Sequence, residues 1–203
     1  MATAIASAYM NIPLIHLQGG ELSGNIDDRV RHAITKLSDY HFVSSELSAK
    51  RVLSMGEKKE TIFCYGCPSM DILLDQDLSI NNSIMAKYKG VGKTPNWEGK
   101  YILILQHPVT TSYGNGFSQI SETLKAAKTF TDYQKIILWP NIDAGSDDVS
   151  KGIRVFRESK GDDTFSYFKN FSPEDYARLL CNAVCCVGNS SSFLREGAFL
   201  GVP

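Results

Sequence analysis

The stretch Cys185-Cys-Val-Gly-Asn-Ser-Ser-Ser-Phe-Leu-Arg-Glu-Gly-Ala-Phe-Leu-Gly-Val-Pro203 decides how the chain is read. An apolar run from Val184 to Val187 reaches Gly188 and Asn189, and three serines then open a helical pattern. Strand, tight turn and helix start therefore follow one another in a single segment. Free backbone N–H groups, the positive end of the helix dipole and serine hydroxyls together suit a phosphate. Asn189 and the serines also satisfy the simpler requirement of capping a helix. Arg195 and Glu196 lie about one turn further on, where a carboxylate can accept hydrogen bonds from a sugar diol.

Working back from that stretch, the pattern repeats. Tyr101 to Leu105 is β-rich and ends in Gln106-His-Pro-Val-Thr-Thr111. A helical pattern runs from about Phe117 to Phe130, a strand from Lys135 to Trp139, and a polar loop from Pro140 to Ser146. A helix over about Asp147 to Ser159 and a strand over Thr164 to Phe168 come next. Ser172-Pro-Glu-Asp175 then has cap, N1 proline and acidic first turn in order. Strands alternating with helices predict an α/β fold with parallel sheets built from βαβ units. Gln106 with His107, Asn141 with Asp143, and Asn189 with the serines all end strands, so they converge on one sheet edge.

The first part of the chain has the same grammar. Met1 is followed by a helix of small residues. Pro13 to Gln18 is a strand that runs into Gly19-Gly20, which brings His16, Gln18 and Glu21 to a ligand-facing edge. Ile26, Val30, Ile34 and Leu37 recur at helical spacing, with Asp27 and Asp28 in the first turn. Spacing alone explains that acidic pair as a complement to the helix dipole. His41 to Ser44 and Thr61 to Tyr65 are further strands, with a helix from about Ser45 to Gly56 between them. Residues 75–99 are polar, lack clear periodicity and contain Gly90, Gly92, Pro95 and Gly99, and read as a connection between domains.

Composition excludes several classes. With 21 basic and 22 acidic residues interspersed along 203, neither nucleic acid nor an anionic membrane is an expected partner. No apolar run approaches the roughly 18 residues of a membrane span, and no basic leader precedes the apolar start. Five cysteines, an odd number, fit a reduced cytoplasmic protein. Cys64 and Cys67 have CxxC spacing without a second pair at zinc-ribbon distance, so a redox pair is the alternative to plain packing.

These motifs carry a resemblance. His16-Leu-Gln-Gly-Gly-Glu21, Gly24-Asn-Ile-Asp-Asp-Arg-Val-Arg-His-Ala-Ile-Thr-Lys-Leu37, Gly66-Cys-Pro-Ser-Met-Asp71, Gln106-His-Pro-Val-Thr-Thr111, Pro140-Asn-Ile-Asp-Ala-Gly-Ser146 and Gly188-Asn-Ser-Ser-Ser192 with Arg195 and Glu196 occur in one order. Together they resemble the hydrolysing UDP-N-acetylglucosamine 2-epimerases of sialic acid and legionaminic acid synthesis. The resemblance covers nearly the whole chain. It implies a GT-B-like pair of Rossmann-like domains with the sugar nucleotide in the cleft between them. Residues 1–85 would be the later part of the first domain and residues 86–203 most of the second, so truncation at both ends is expected. It also implies a cytoplasmic homo-oligomer, a dimer or tetramer at full length.

The implied reaction converts a UDP-2-acetamido sugar, UDP-N-acetylglucosamine or UDP-N,N′-diacetylbacillosamine, to UDP and the free 2-epimeric sugar. A base removes the C2 proton as UDP leaves C1, and water adds to the resulting 2-acetamidoglycal. No metal or redox cofactor is expected, because the leaving group is already activated and the proton transfers suit carboxylates and an imidazole. Carried onto this chain, the resemblance puts Ser190 and Ser191 on the diphosphate and Glu196 on the ribose, with Arg195 beside it. His107 would be the donor to the departing diphosphate, Asn141 would line the same edge, and Phe171 would neighbour uracil. Asp27 would be an active-site carboxylate, with His16 and Gln18 in the sugar pocket.

Two residues depart from the family pattern. Gln18 stands where many members have Glu, and an amide cannot exchange a proton at neutral pH. Phe193 occupies a position associated with Gly, which crowds the helix start. The family's other catalytic aspartate belongs to a motif upstream of Met1. The competing readings are a sugar-nucleotide-binding fragment without turnover, a non-hydrolysing 2-epimerase and, more distantly, a GT-B glycosyltransferase.

Overall fold

The computed structural model describes residues 1–24, 26–109, 112–142, 144–159 and 164–203. Packing divides the chain into two units, Met1–Asp71 and Ile72–Pro203. In the first unit, α1 (Ala2–Met10), β1 (Ile15–Leu17), α2 (Ile26–Leu37), β2 (Tyr40–Val43), α3 (Glu46–Ser54) and β3 (Ile62–Cys64) follow in turn. The three strands pair in the order β1-β2-β3, all parallel, with His16 opposite His41 and Phe42 opposite Phe63. Helix α3 starts where Ser45 accepts a hydrogen bond from the Ser48 N–H at 3.2 Å. Helix α4 (Pro68–Leu74) runs across the point of division.

The second unit contains α5 (Asn82–Met85), β4 (Val91–Gly92), β5 (Tyr101–Leu105), α6 (Gly116–Lys128), β6 (Gln134–Leu138), α7 (Ser146–Glu158), β7 (Phe165–Phe168), α8 (Pro173–Cys181) and β8 (Cys185–Gly188). Its sheet runs β4-β7-β6-β5-β8, parallel except for β4. All five side chains of β5 are buried, as expected of a strand covered on both faces. Tyr101, Leu103 and Leu105 pack on one side with Leu138, Phe168, Leu179 and Leu180. Ile102 and Ile104 pack on the other with Ile120, Leu124, Val149 and Ile153 of α6 and α7. This two-sided alternation makes the unit Rossmann-like.

The stretch 75–99, read from composition as a connection, is largely built into the second unit. Met85 and Trp97 are buried in its core and Ile80, Ile84 and Tyr88 pack against them. By packing, the second unit begins at Ile72. A few apolar anchors spaced through a polar segment suffice to hold it, and average polarity hides them. Among the described residues, no helix is long and apolar enough to cross a membrane.

Candidate functional site

Strand order marks a candidate site. Parallel strands β7-β6-β5-β8 reverse direction of growth between β5 and β8, and open α/β sheets bind ligands outside the carboxyl ends at such a point. The two loops leaving it carry His107 and Asn189. The His107 N–H donates to Asn189 Oδ1 at 2.7 Å, and Asn189 Nδ2 donates to the His107 carbonyl at 3.0 Å. Gly188 permits this approach: a Cβ there would lie 1.9 Å from the Leu105 carbonyl oxygen, and its φ of 147° disfavours any L side chain. The Asn141 N–H, from the loop after β6, donates to His107 Nδ1 at 3.4 Å. That bond makes Nδ1 the acceptor of the neutral imidazole and puts the ring proton on Nε2.

Beyond Asn189, residues 191–200 are helical, with a π segment over Phe193–Gly197. Ser190 sits at the cap and is buried, whereas Ser191 is exposed at the first helical residue. The Ser190 and Ser192 hydroxyls are 2.8 Å apart. Glu196 lies inside the π segment, where its Oε2 is buried and receives no hydrogen bond from the described residues. Arg195 is half-buried next to it. The structure thus brings Asn141 and Asn189 each into contact with His107 and sets the serines directly after Asn189. Gln106 turns away, accepting the Thr123 hydroxyl at 2.6 Å. Thr110, Thr111 and Asp143 lie outside the described residues.

Phe171 is 5% exposed and stacks among Tyr88, Trp97 and Phe168. Its side chain belongs to the core and is not open to a ligand. Ser172 caps α8, and Asp175 ties the turn together. Burial alone would raise the Asp175 carboxyl, but bonds from Lys87, Tyr88, Arg178 and Ser172 hold it well below the usual carboxylate range.

A cavity of about 380 Å³ lies beside these loops, with Trp139 from the end of β6 and Lys169 and Asn170 from the end of β7 in its wall. Arg154 and Arg157 on α7 and Lys89 add positive charge. Sequence reading passed over this cluster. Its signal, two arginines three apart on one helix, is indistinguishable from a solvated face until Trp139 and Lys169 are placed against it.

In the first unit, the β1–α2 loop is pinned. Arg31 donates to the Glu21 carbonyl at 2.9 Å, Arg51 to that of Gly20 at 2.5 Å, and Ser44 to the Glu21 carboxylate at 2.7 Å. The acidic pair divides. Asp28 accepts from the Ser23 and Gly24 N–H groups, the Ser23 hydroxyl and Arg31, which together hold it far below the usual range. Asp28 is thereby committed to the helix start, while Asp27 is exposed.

The Thr35 hydroxyl donates to the Arg31 carbonyl, so its lone pairs face His16 Nδ1 at 3.1 Å and that nitrogen carries the proton. Burial, then His41 and Arg31, push His16 down to about 4, so its ring is neutral with Nε2 as acceptor. Gln18 has a left-handed φ of 62°, and its amide donates to Cys67 Sγ at 3.0 Å. Cys64 is pushed up by burial and by Glu46, which keeps it a thiol, the opposite of a redox thiolate. All five cysteines are unbridged.

Residues 1–203 match the family model described as UDP-N-acetylglucosamine 2-epimerase. The chain is 37% identical over 198 residues to the UDP-N,N′-diacetylbacillosamine 2-epimerase (hydrolyzing) of Legionella pneumophila, covering 98% of this chain and 50% of that protein. It is 34% identical to the polysialic acid biosynthesis protein P7 of Escherichia coli, covering 96% and 48%. The chain therefore spans about half the length of these relatives. Among solved structures, the Methanocaldococcus jannaschii UDP-GlcNAc 2-epimerase in complex with UDP-GlcNAc and UDP superposes with a TM-score of 0.79 at 18% identity, over 100% of this chain and 55% of that one. That likeness is one of fold.

Proposed function

The chain belongs to the UDP-N-acetylglucosamine 2-epimerase family, and from that premise we propose that it serves a hydrolysing 2-epimerase acting on a UDP-2-acetamido sugar. The observation that carries this reading is the contact between His107, Asn189 and Asn141 at the point where the strand order reverses. An imidazole held by its backbone on one side and by Nδ1 on another presents Nε2–H as a fixed donor. Such a donor stabilises the charge that develops on a departing diphosphate.

The neighbouring groups fit the rest of a uridine diphosphate. Ser190 and Ser191 offer hydroxyls and the N–H groups of a helix start to the phosphates. Glu196 Oε2, buried and without a donor among the described residues, suits a ribose hydroxyl, and the satisfaction of such a group offsets its desolvation. Arg195 and Asn141 complete this set. In the first unit, Asp27 is the group we assign to proton transfer at the sugar, with neutral His16 shaping the pocket. Gln18 orients and does not exchange protons. The chemistry is elimination of UDP across C1–C2 followed by addition of water to the 2-acetamidoglycal. The hydrolysing branch is favoured because the Legionella relative bears that description.

The test is saturation-transfer NMR with UDP on the 203-residue chain, followed by product analysis with UDP-N-acetylglucosamine and UDP-N,N′-diacetylbacillosamine. Bound UDP and a free 2-epimeric sugar are the expected results. A product that retains UDP would move the reading to the non-hydrolysing branch. UDP binding without turnover would favour a binding role, which the amide of Gln18 already suits.

A further inference from the structure

We propose that Tyr176, Ser192 and Ser190 form a one-way chain of hydroxyl donors that aims the Ser190 proton at a ligand phosphate, with Tyr176 and Ser192 as positioning residues. The inference rests on the nucleotide reading above. Tyr176 projects from α8 and packs partly against the core. Its hydroxyl lies 2.5 Å from Ser192 Oγ, which lies 2.8 Å from Ser190 Oγ. The Ser192 N–H also points at Ser190 Oγ, at 3.4 Å.

The direction of the chain follows from what is left over at each end. A phenol is more acidic than an alcohol, and burial pushes Tyr176 up to about 12, so it remains protonated and donates. Ser192, having accepted that bond, donates onward. Ser190 Oγ then receives an O–H and an N–H, which fill both lone pairs of a hydroxyl oxygen. Its own proton must go elsewhere, yet Ser190 is 6% exposed and no acceptor for that proton exists among the described residues. Run in reverse, the chain would make the Tyr176 phenol, the best donor of the three, its terminal acceptor. Each link polarises the next, so the terminal donor is stronger than an isolated serine. An anionic oxygen at the helix start is the acceptor that this arrangement fits.

The experiment is titration calorimetry of the 203-residue chain with UDP and, separately, with uridine, which lacks the phosphates. Tyr176→Phe and Ser192→Ala should each weaken UDP binding about fivefold and leave uridine binding unchanged. The double variant should be no weaker than Ser192→Ala, because the chain is already cut. Equal losses for UDP and uridine would mean a purely structural role and overturn the proposal, as would unchanged UDP affinity in both single variants. A wild-type chain that ignores UDP would overturn the nucleotide reading itself, and the relay with it. Circular dichroism of each variant separates these outcomes from unfolding.

Discussion

Asn189 and His107 grip each other by two hydrogen bonds, His107 N–H to Asn189 Oδ1 at 2.7 Å and Asn189 Nδ2 to the His107 carbonyl at 3.0 Å. The side-chain amide of one loop thus copies a strand's backbone and extends the β5–β8 pairing by one residue past the sheet. Asp at that position would keep the acceptor and lose the donor; Ala would lose both.

Asn189→Ala should therefore lower the stability of the second unit by about 0.5–1.5 kcal/mol, the net scale of hydrogen bonds that water can reach and replace. Asn189→Asp should fall between it and wild type. Urea denaturation followed by tryptophan fluorescence of Trp97, buried in that unit's core, reads this directly. Equal stability of all three would mean that the loops are held by something else.

His107→Ala should leave UDP affinity within a few-fold while lowering any 2-epimerase turnover by about a hundredfold, the scale of a lost acid–base group or charge-stabilising donor. Steady-state kinetics decides it, and near-normal turnover would remove His107 from the chemistry.

Gly188→Ala should prevent normal closure of the second unit. The added methyl would meet the Leu105 carbonyl oxygen at 1.9 Å, and backbone cannot step aside as a flexible side chain can. A loss of roughly 4 kcal/mol or more is expected. A thermal midpoint close to wild type would show that β5 and β8 can separate at little cost.

Acid should weaken the first unit. His16 is pushed down to about 4 by burial, and His41 is lowered chiefly by burial despite Glu57 at 3.3 Å. Above about pH 6.5 both rings are neutral whether folded or unfolded, and pH has no leverage on them. Between about 6.5 and 4 the unfolded chain binds protons that the folded one refuses, so stability falls as pH falls. Denaturant midpoints measured at pH 7.5, 5.5 and 4.5 should decline, and less so in His16→Gln. An identical decline in that variant would place the effect elsewhere.

Replacing Cys64 and Cys67 together by Ser should preserve the fold and UDP binding. A serine at 67 can still accept the Gln18 amide, and Cys64 is a protonated thiol in its place. A folded double variant that no longer binds or turns over would restore a functional role for the pair.

The sequence by itself determined the α/β class, the parallel strands and the convergence of polar clusters at one edge. Those properties are continuous or terminal: the unbroken apolar run Tyr101–Leu105 and the break at Gly188-Asn189 are local, and local physics writes them into the order of residues. The Ser172-Pro173 cap of α8 was legible for the same reason. Tertiary structure decided the rest, because it depends on which of several equivalent residues finds a partner far away in the chain. Gln106 and His107 are adjacent and both polar, yet Gln106 turns to Thr123 while His107 meets Asn189, 82 residues on. Phe171 and Trp97, one in a candidate loop and one in a supposed linker, prove to be core because they meet each other. The links from Tyr176 to Ser192 and from Asn189 to His107 span 16 and 82 residues of chain, and no spacing rule reaches that far.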